Sequence, residues 1–170
     1  MWLTRRDLSN MEVWAESIGK ALLLCQKFEE TCKDVVLWFS IVRKLDVDNS
    51  DMLGAEMHSY VDKLNAMLLG QSIATLKGGN EFFKRTNNDM SKLESDRNAR
   101  NWIAHESGHG LLFHHNKFYL DEFLDNVKAV ARGDLLVSRW SYEFHEKEPA
   151  GWCPEELYVE TISTWIYDDC

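Results

Sequence analysis

Between Trp14 and Val42 the apolar residues Trp14, Ile18, Ala21, Cys25, Phe28, Cys32, Val35, Phe39 and Val42 follow one another in alternating steps of four and three. Only a helix puts such positions on one face, because 3.6 residues complete a turn. A strand would scatter them over both faces. The stripe spans about eight turns and predicts one long helix with its apolar side in a core. Ser9-Asn10-Met11-Glu12 reads as a capping box and predicts the start, with the end near Leu45. Both prolines, Pro149 and Pro154, come late, so nothing in the first 148 residues forbids further helices.

The rest of the chain follows the same pattern. Asp46 to Asp51 is polar turn material. A second helix is predicted from about Met52 to Leu69, with Leu53, Met57, Tyr60, Val61, Leu64, Met67 and Leu68 inward and a bend at Gly70. It resumes through Ile73 and Leu76 until Gly78-Gly79. Asn80 caps a turn bearing Phe82 and Phe83; Asn87 or Asn88 caps a third helix carrying Met90, Leu93, Ala99, Trp102 and Ile103. A fourth is predicted from Phe118 to Phe144, with Phe123, Val127, Val130, Trp140 and Tyr142 inward and Gly133 as a weak point. Pro154 suits the first turn of a short terminal helix whose inward set is Leu157, Ile162, Trp165 and Ile166. No alternating strand pattern and no repeat occurs. The expectation is an all-α fold: one domain over 1–170, an antiparallel four-helix bundle with a short fifth helix.

Composition narrows the function classes. Apolar residues make up 45% and charged residues 28%, which is the balance of a globular chain with a real core. A net charge of −9 argues against a tight, nonspecific phosphate binder, although a local basic patch stays open. Cys25 and Cys32 are seven residues apart, about 10.5 Å along a helix and too far to bridge. Reduced thiols, no apolar leader in MWLTRRDLSN and no stretch approaching ~18 apolar residues predict a cytoplasmic protein with no membrane partner.

The chemistry concentrates in NARNWIAHESGHGLLFHH, from Asn98 to His115. Arg100 and His105 are five residues apart, with Asn101 directly after the Arg. A His can take a proton from a 2′-hydroxyl or give one to a leaving 5′-oxygen. An Arg can hold the phosphate and offset its growing charge. Together they suit RNA cleavage without a metal, with a cyclic phosphate as product. Asn101 would orient His105 or hold the backbone at the turn, and Glu106 would tune the His. On an ideal helix, residues five apart point roughly 140° from each other. The pair therefore meets only if the helix frays before His105, or if two copies meet across a two-fold axis.

This motif, at the end of a third helix, resembles the HEPN superfamily. The signature there is an Arg, then Asn, Asp or His, then a His four to six residues after the Arg; Arg100, Asn101 and His105 fill these places. Met67-Leu68-Leu69-Gly70-Gln71-Ser72-Ile73 also resembles the leucine- and glycine-rich end of the second helix in such domains. As an order of helices the resemblance spans nearly the whole chain, while its motif is three residues. It implies a metal-independent endoribonuclease of a toxin–antitoxin or defence system. RNA would be the substrate, a homodimer would hold the site at its interface, and an antitoxin protein would be a partner.

Two other readings compete. His105-Glu106-Ser107-Gly108-His109 is a literal H-E-x-x-H, which on a helix would set two zinc-binding imidazoles one turn apart with Glu106 as general base. His115 lies ten after His105, but Leu112 stands where a metzincin has a turning Gly, and no strands accompany the motif. His109 with His114 and His115 reads as a polar loop before it reads as a metal site. The remaining alternative is a non-catalytic helical module that binds RNA or a protein.

Overall fold

The computed structural model describes residues 5–44, 54–78, 86–109, 111, 118–145 and 153–167. Among them are six helices and no strand: α1 (Arg5–Val42), α2 (Ala55–Asn65), α3 (Leu69–Gly78), α4 (Asn87–His105), α5 (Leu120–Phe144) and α6 (Glu155–Tyr167). The fold is an all-α bundle. The α5 helix lies between α1 and α4 as the most extensive packing partner of both; α6 covers α5 and α1, and α3 fills the angle between α1 and α4. Buried side chains of all six helices join in one hydrophobic cluster. No helix among the described residues is long and apolar enough to cross a membrane.

The α1 helix runs 38 residues, about 57 Å. Its predicted stripe is its core face: Ala21, Cys25, Phe28, Cys32, Val35 and Phe39 are each at most 2% exposed. The capping box at Ser9 does not start it. The chain is already helical at Arg5, and Ser9 and Glu12 lie exposed on the helix. A Ser can cap only where its own backbone is extended, and nothing upstream breaks the helix there.

The second predicted helix is split earlier than Gly70. It stops at Asn65, where the Ala66 and Met67 N–H groups close the last turn on Asp62 and Leu64 carbonyls at 3.0 and 3.1 Å. Gln71 then starts α3. Its Oε1 accepts the Leu68 N–H at 2.9 Å, while the Leu68 carbonyl accepts the Gln71 and Ser72 N–H groups at 2.9 and 3.0 Å. This is the reaching-back half of a capping box. It leaves Leu68, expected inward, 69% exposed.

Caps also fix α4. Thr86 is its N-cap, one residue before the Asn87 expected there: Thr86 Oγ1 accepts the Asp89 N–H at 3.1 Å and Asp89 Oδ2 accepts the Thr86 N–H at 3.1 Å. Phe118 stacks on Trp14 at 4.2 Å, and α5 begins two residues later at Leu120. On α6, Ile166 is buried, but Leu157 and Trp165 are 52% and 44% exposed, against the expected inward set. A short helix laid on the outside of a bundle buries only a narrow stripe. Tyr142 is likewise exposed near the end of α5. Trp2, Leu53, Asn80, Phe82, Phe83, Leu112, His114, His115 and Trp152 lie outside the described residues.

Two aspartates sit in this core. Asp134 is fully buried and satisfied: Lys27 Nζ donates to both its oxygens at 2.7 and 2.6 Å, and the Tyr158 hydroxyl donates to Oδ2 at 2.5 Å. One carboxylate thus ties α1, α5 and α6. Burial, reinforced by this hydrogen bond to a carboxylate, pushes the Tyr158 phenol upward. Asp96 of α4 is also buried, pressed against Gly133 of α5. Burial pushes its carboxyl up to about 7; Arg132 opposes this, Glu155 adds to it and Lys92 opposes it.

Gly133 is therefore a contact point and not a weak point. A Cβ there would lie 2.8 Å from Asp96 Cβ and 2.9 Å from its Oδ2. Gly133→Ala gains about 1 kcal/mol in helix propensity, yet overpacking costs about 1–3 kcal/mol, so the expected outcome in urea melts is net destabilisation. A more stable variant contradicts the close packing. Asp96 gives a second test. Its folded pKa lies above the unfolded value of about 3.9, so the folded state holds the extra proton between those two values. Its contribution to stability is present below pH ~4 and is lost as pH rises through about 7. Urea melts at pH 5 and pH 8 should show a smaller loss for Asp96→Asn than for the parent; equal losses contradict the assignment.

Candidate functional site

The end of α4 decides what the motif can do. The Trp102 carbonyl accepts the Glu106 N–H at 2.7 Å and the Ser107 N–H at 3.1 Å, and Ser107 Oγ donates to the Ile103 carbonyl at 2.6 Å. These bonds hold the helix through His105, with Glu106 as C-cap. The helix thus ends after His105 and does not fray before it. Arg100 and His105 share one unbroken helix, separated by about 7.5 Å of rise and roughly 140° of rotation.

Arg100 points toward α1 and α3. Its Nη2 donates to Glu29 Oε2 at 2.5 Å, and its Nη1 donates to Asn101 Oδ1 at 3.2 Å. The hydrogen bond of Asn101 therefore runs to the guanidinium and not to His105. Arg100 and Asn101 line an open cleft of about 390 Å³ with Arg97, Glu29 and the first residues of α3, Leu69, Gly70 and Gln71. The side chains of Arg100 and Glu29 are 23% and 17% exposed, so their ion pair is partly desolvated and worth more than a surface pair. Glu29 also faces Lys33 at 3.4 Å. Cys25 lies behind the cleft, its Sγ 4.0 Å from the Arg100 carbonyl. Burial pushes that thiol up to about 12, Arg100 pulling the other way and Glu29 adding to the rise, so it is no nucleophile near neutrality.

His105 is exposed, on another face of α4. Within one chain it does not line the cleft that holds Arg100. Glu106 and His109 are exposed beyond the helix end, and the His109 N–H bonds the Glu106 carbonyl at 2.9 Å. The H-E-x-x-H pattern needs both imidazoles on one helical face. Here α4 stops at the first of them, and a turn over residues 106–108 separates it from His109. Among the described residues no three His, Cys, Asp or Glu side chains are grouped to hold a metal ion.

Sequence reasoning missed Arg97 and Glu29. The signal for Arg97 was present: three residues before Arg100 on a helix makes them surface neighbours. Glu29 carried no such signal, because only the packing of α1 on α4 brings it to the site. A second cavity, of about 150 Å³, lies between Lys92 and Asp96 of α4, Arg132 and Arg139 of α5 and Glu155 of α6. No known family model, curated protein or solved structure matches this chain.

Proposed function

We propose that this protein is a metal-independent endoribonuclease of the HEPN type, an antiparallel bundle acting as a two-fold homodimer. The observation that carries the reading is Arg100 at the wall of an open cleft large enough for a phosphodiester, with Asn101 bonded to its guanidinium. An exposed His105 at the end of the same helix adds to it. Because that helix is unbroken, His105 of one copy would serve the Arg100 cleft of the other.

The chemistry follows from the two groups. Neutral His105 accepts the proton of the 2′-hydroxyl as its oxygen attacks phosphorus. Arg100 holds the non-bridging oxygens, whose charge grows as the fifth bond forms. The bond to the 5′-oxygen breaks, that oxygen takes a proton from water, and a 2′,3′-cyclic phosphate remains. Such an activity in the cytoplasm would have to be held in check, which fits a toxin or defence protein with an antitoxin partner.

The second reading is a non-catalytic module that binds RNA or a protein. The Glu29–Arg100 pair favours it, because a carboxylate already occupies the guanidinium. Incubating single-stranded RNA with the protein in EDTA separates the two. The nuclease is expected to cut and leave cyclic phosphate ends, with His105→Ala and Arg100→Ala each slower by about 100- to 10,000-fold. Retention of RNA without cleavage supports the module. Activity that EDTA abolishes and zinc restores contradicts both.

A further inference from the structure

The cleft wall holds more positive charge than the motif requires. Arg97 and Arg100 are one turn apart on α4 and both line it. The Nε of each is buried without a hydrogen-bond partner. A buried guanidinium N–H left unpaired is costly, and here both belong to side chains that line one cavity, so each guanidinium still has bonding capacity to offer an acceptor. Among the described residues the Arg97 guanidinium makes one long hydrogen bond, 3.5 Å from Nη2 to the Asn98 side-chain oxygen, too weak to hold it.

The opposite wall fits the same ligand. The first turn of α3 borders the cleft, where a ten-residue helix brings the positive end of its dipole. Gly70 stands there without a side chain; a Cβ would lie 3.3 Å from Arg97 Nη1. The guanidinium therefore lies close over the helix start. Glu29 is the one carboxylate among the described residues that line the cleft, and it holds Arg100 through Oε2 while Oε1 faces Lys33. If an anion took Arg100, Glu29 would keep Lys33 and would not be stranded.

We propose that Arg97 and Arg100 together grip a phosphate of a single-stranded RNA in this cleft, and that Glu29 occupies that phosphate's seat on Arg100 until the RNA displaces it. The choice of RNA rests on the ribonuclease reading; the residues do not. Exchange of one oxyanion for another on the same guanidinium keeps the charge-assisted bond. Glu29 thus weakens RNA binding in proportion to its hold on Arg100, and it keeps a chain of net charge −9 from binding polyanions indiscriminately.

The test uses a 5′-fluorescein-labelled 2′-O-methyl RNA, which has no free 2′-hydroxyl and cannot be cut by this route, with fluorescence anisotropy in EDTA over a range of salt. Glu29→Gln is expected to tighten binding about three- to tenfold. Arg97→Ala is expected to weaken it about tenfold and to lower the slope of log affinity against log salt by about 0.7, the share of one phosphate contact. Circular dichroism checks each fold; Arg97→Gln, which keeps the stem, replaces the alanine variant if that one unfolds. Unchanged affinity and slope in the Arg97 variant, no tightening in Glu29→Gln, or no binding by the parent overturns the proposal. RNA cleavage by a parent whose two variants bind as it does would leave the nuclease and remove the seat. Both shifts without cleavage would do the reverse.

Discussion

The helix that carries the motif does not break where the chemistry would want it to. The double acceptance by the Trp102 carbonyl and the Ser107 back-bond keep α4 helical through His105. A regular helix then fixes the angle between Arg100 and His105, and side-chain rotation does not bring the imidazole to the cleft wall. One chain supplies a guanidinium in a cleft and an imidazole on another face. Proposed catalysis therefore demands a second copy, whereas proposed binding does not.

The scaffold around α4 is rigid for reasons of charge as well as packing. Asp134 would be costly in a core if alone; with an ammonium and a phenol on it, breaking the set by removing one partner is the expensive change. That set joins α1, α5 and α6, and so fixes the helix that brings Glu29 to Arg100. Asp96 works differently. Among the described residues it makes no such pairs, and its neighbours pull its carboxyl in both directions. The close approach of α4 to α5 at Gly133 is what seats it, and the seat carries a pH-dependent cost.

Much of the fold was legible in the chain. The four-three stripe of α1 is the core face from Ala21 to Phe39, and the apolar positions Met90, Leu93, Ala99 and Ile103 of α4 are buried as their spacing requires. The departures share a cause: several signals are conditional on context. Ser9 has the residues of a cap but not its backbone, because the helix passes through it. Gly70 looks like a breaker, but the Gln71 side chain sets the start of α3 ahead of it. Gly133 looks like a weakness until Asp96 is seen against it. The motif's residues could be named from sequence, but their relation could not. The direction of Arg100 depends on Glu29, 71 positions away, and on a helix end decided by one serine back-bond.

The proposed catalytic site is shared between two copies. It is tested most directly by mixing Arg100→Ala with His105→Ala protein, each inactive alone, and measuring RNA cleavage in EDTA after subunits exchange. If Arg100 of one copy works with His105 of the other, half of the molecules become mixed dimers with one intact site of two, so about a quarter of the parent activity returns. No recovery, with both variants folded and exchanging, would contradict a shared site and with it the proposed nuclease mechanism.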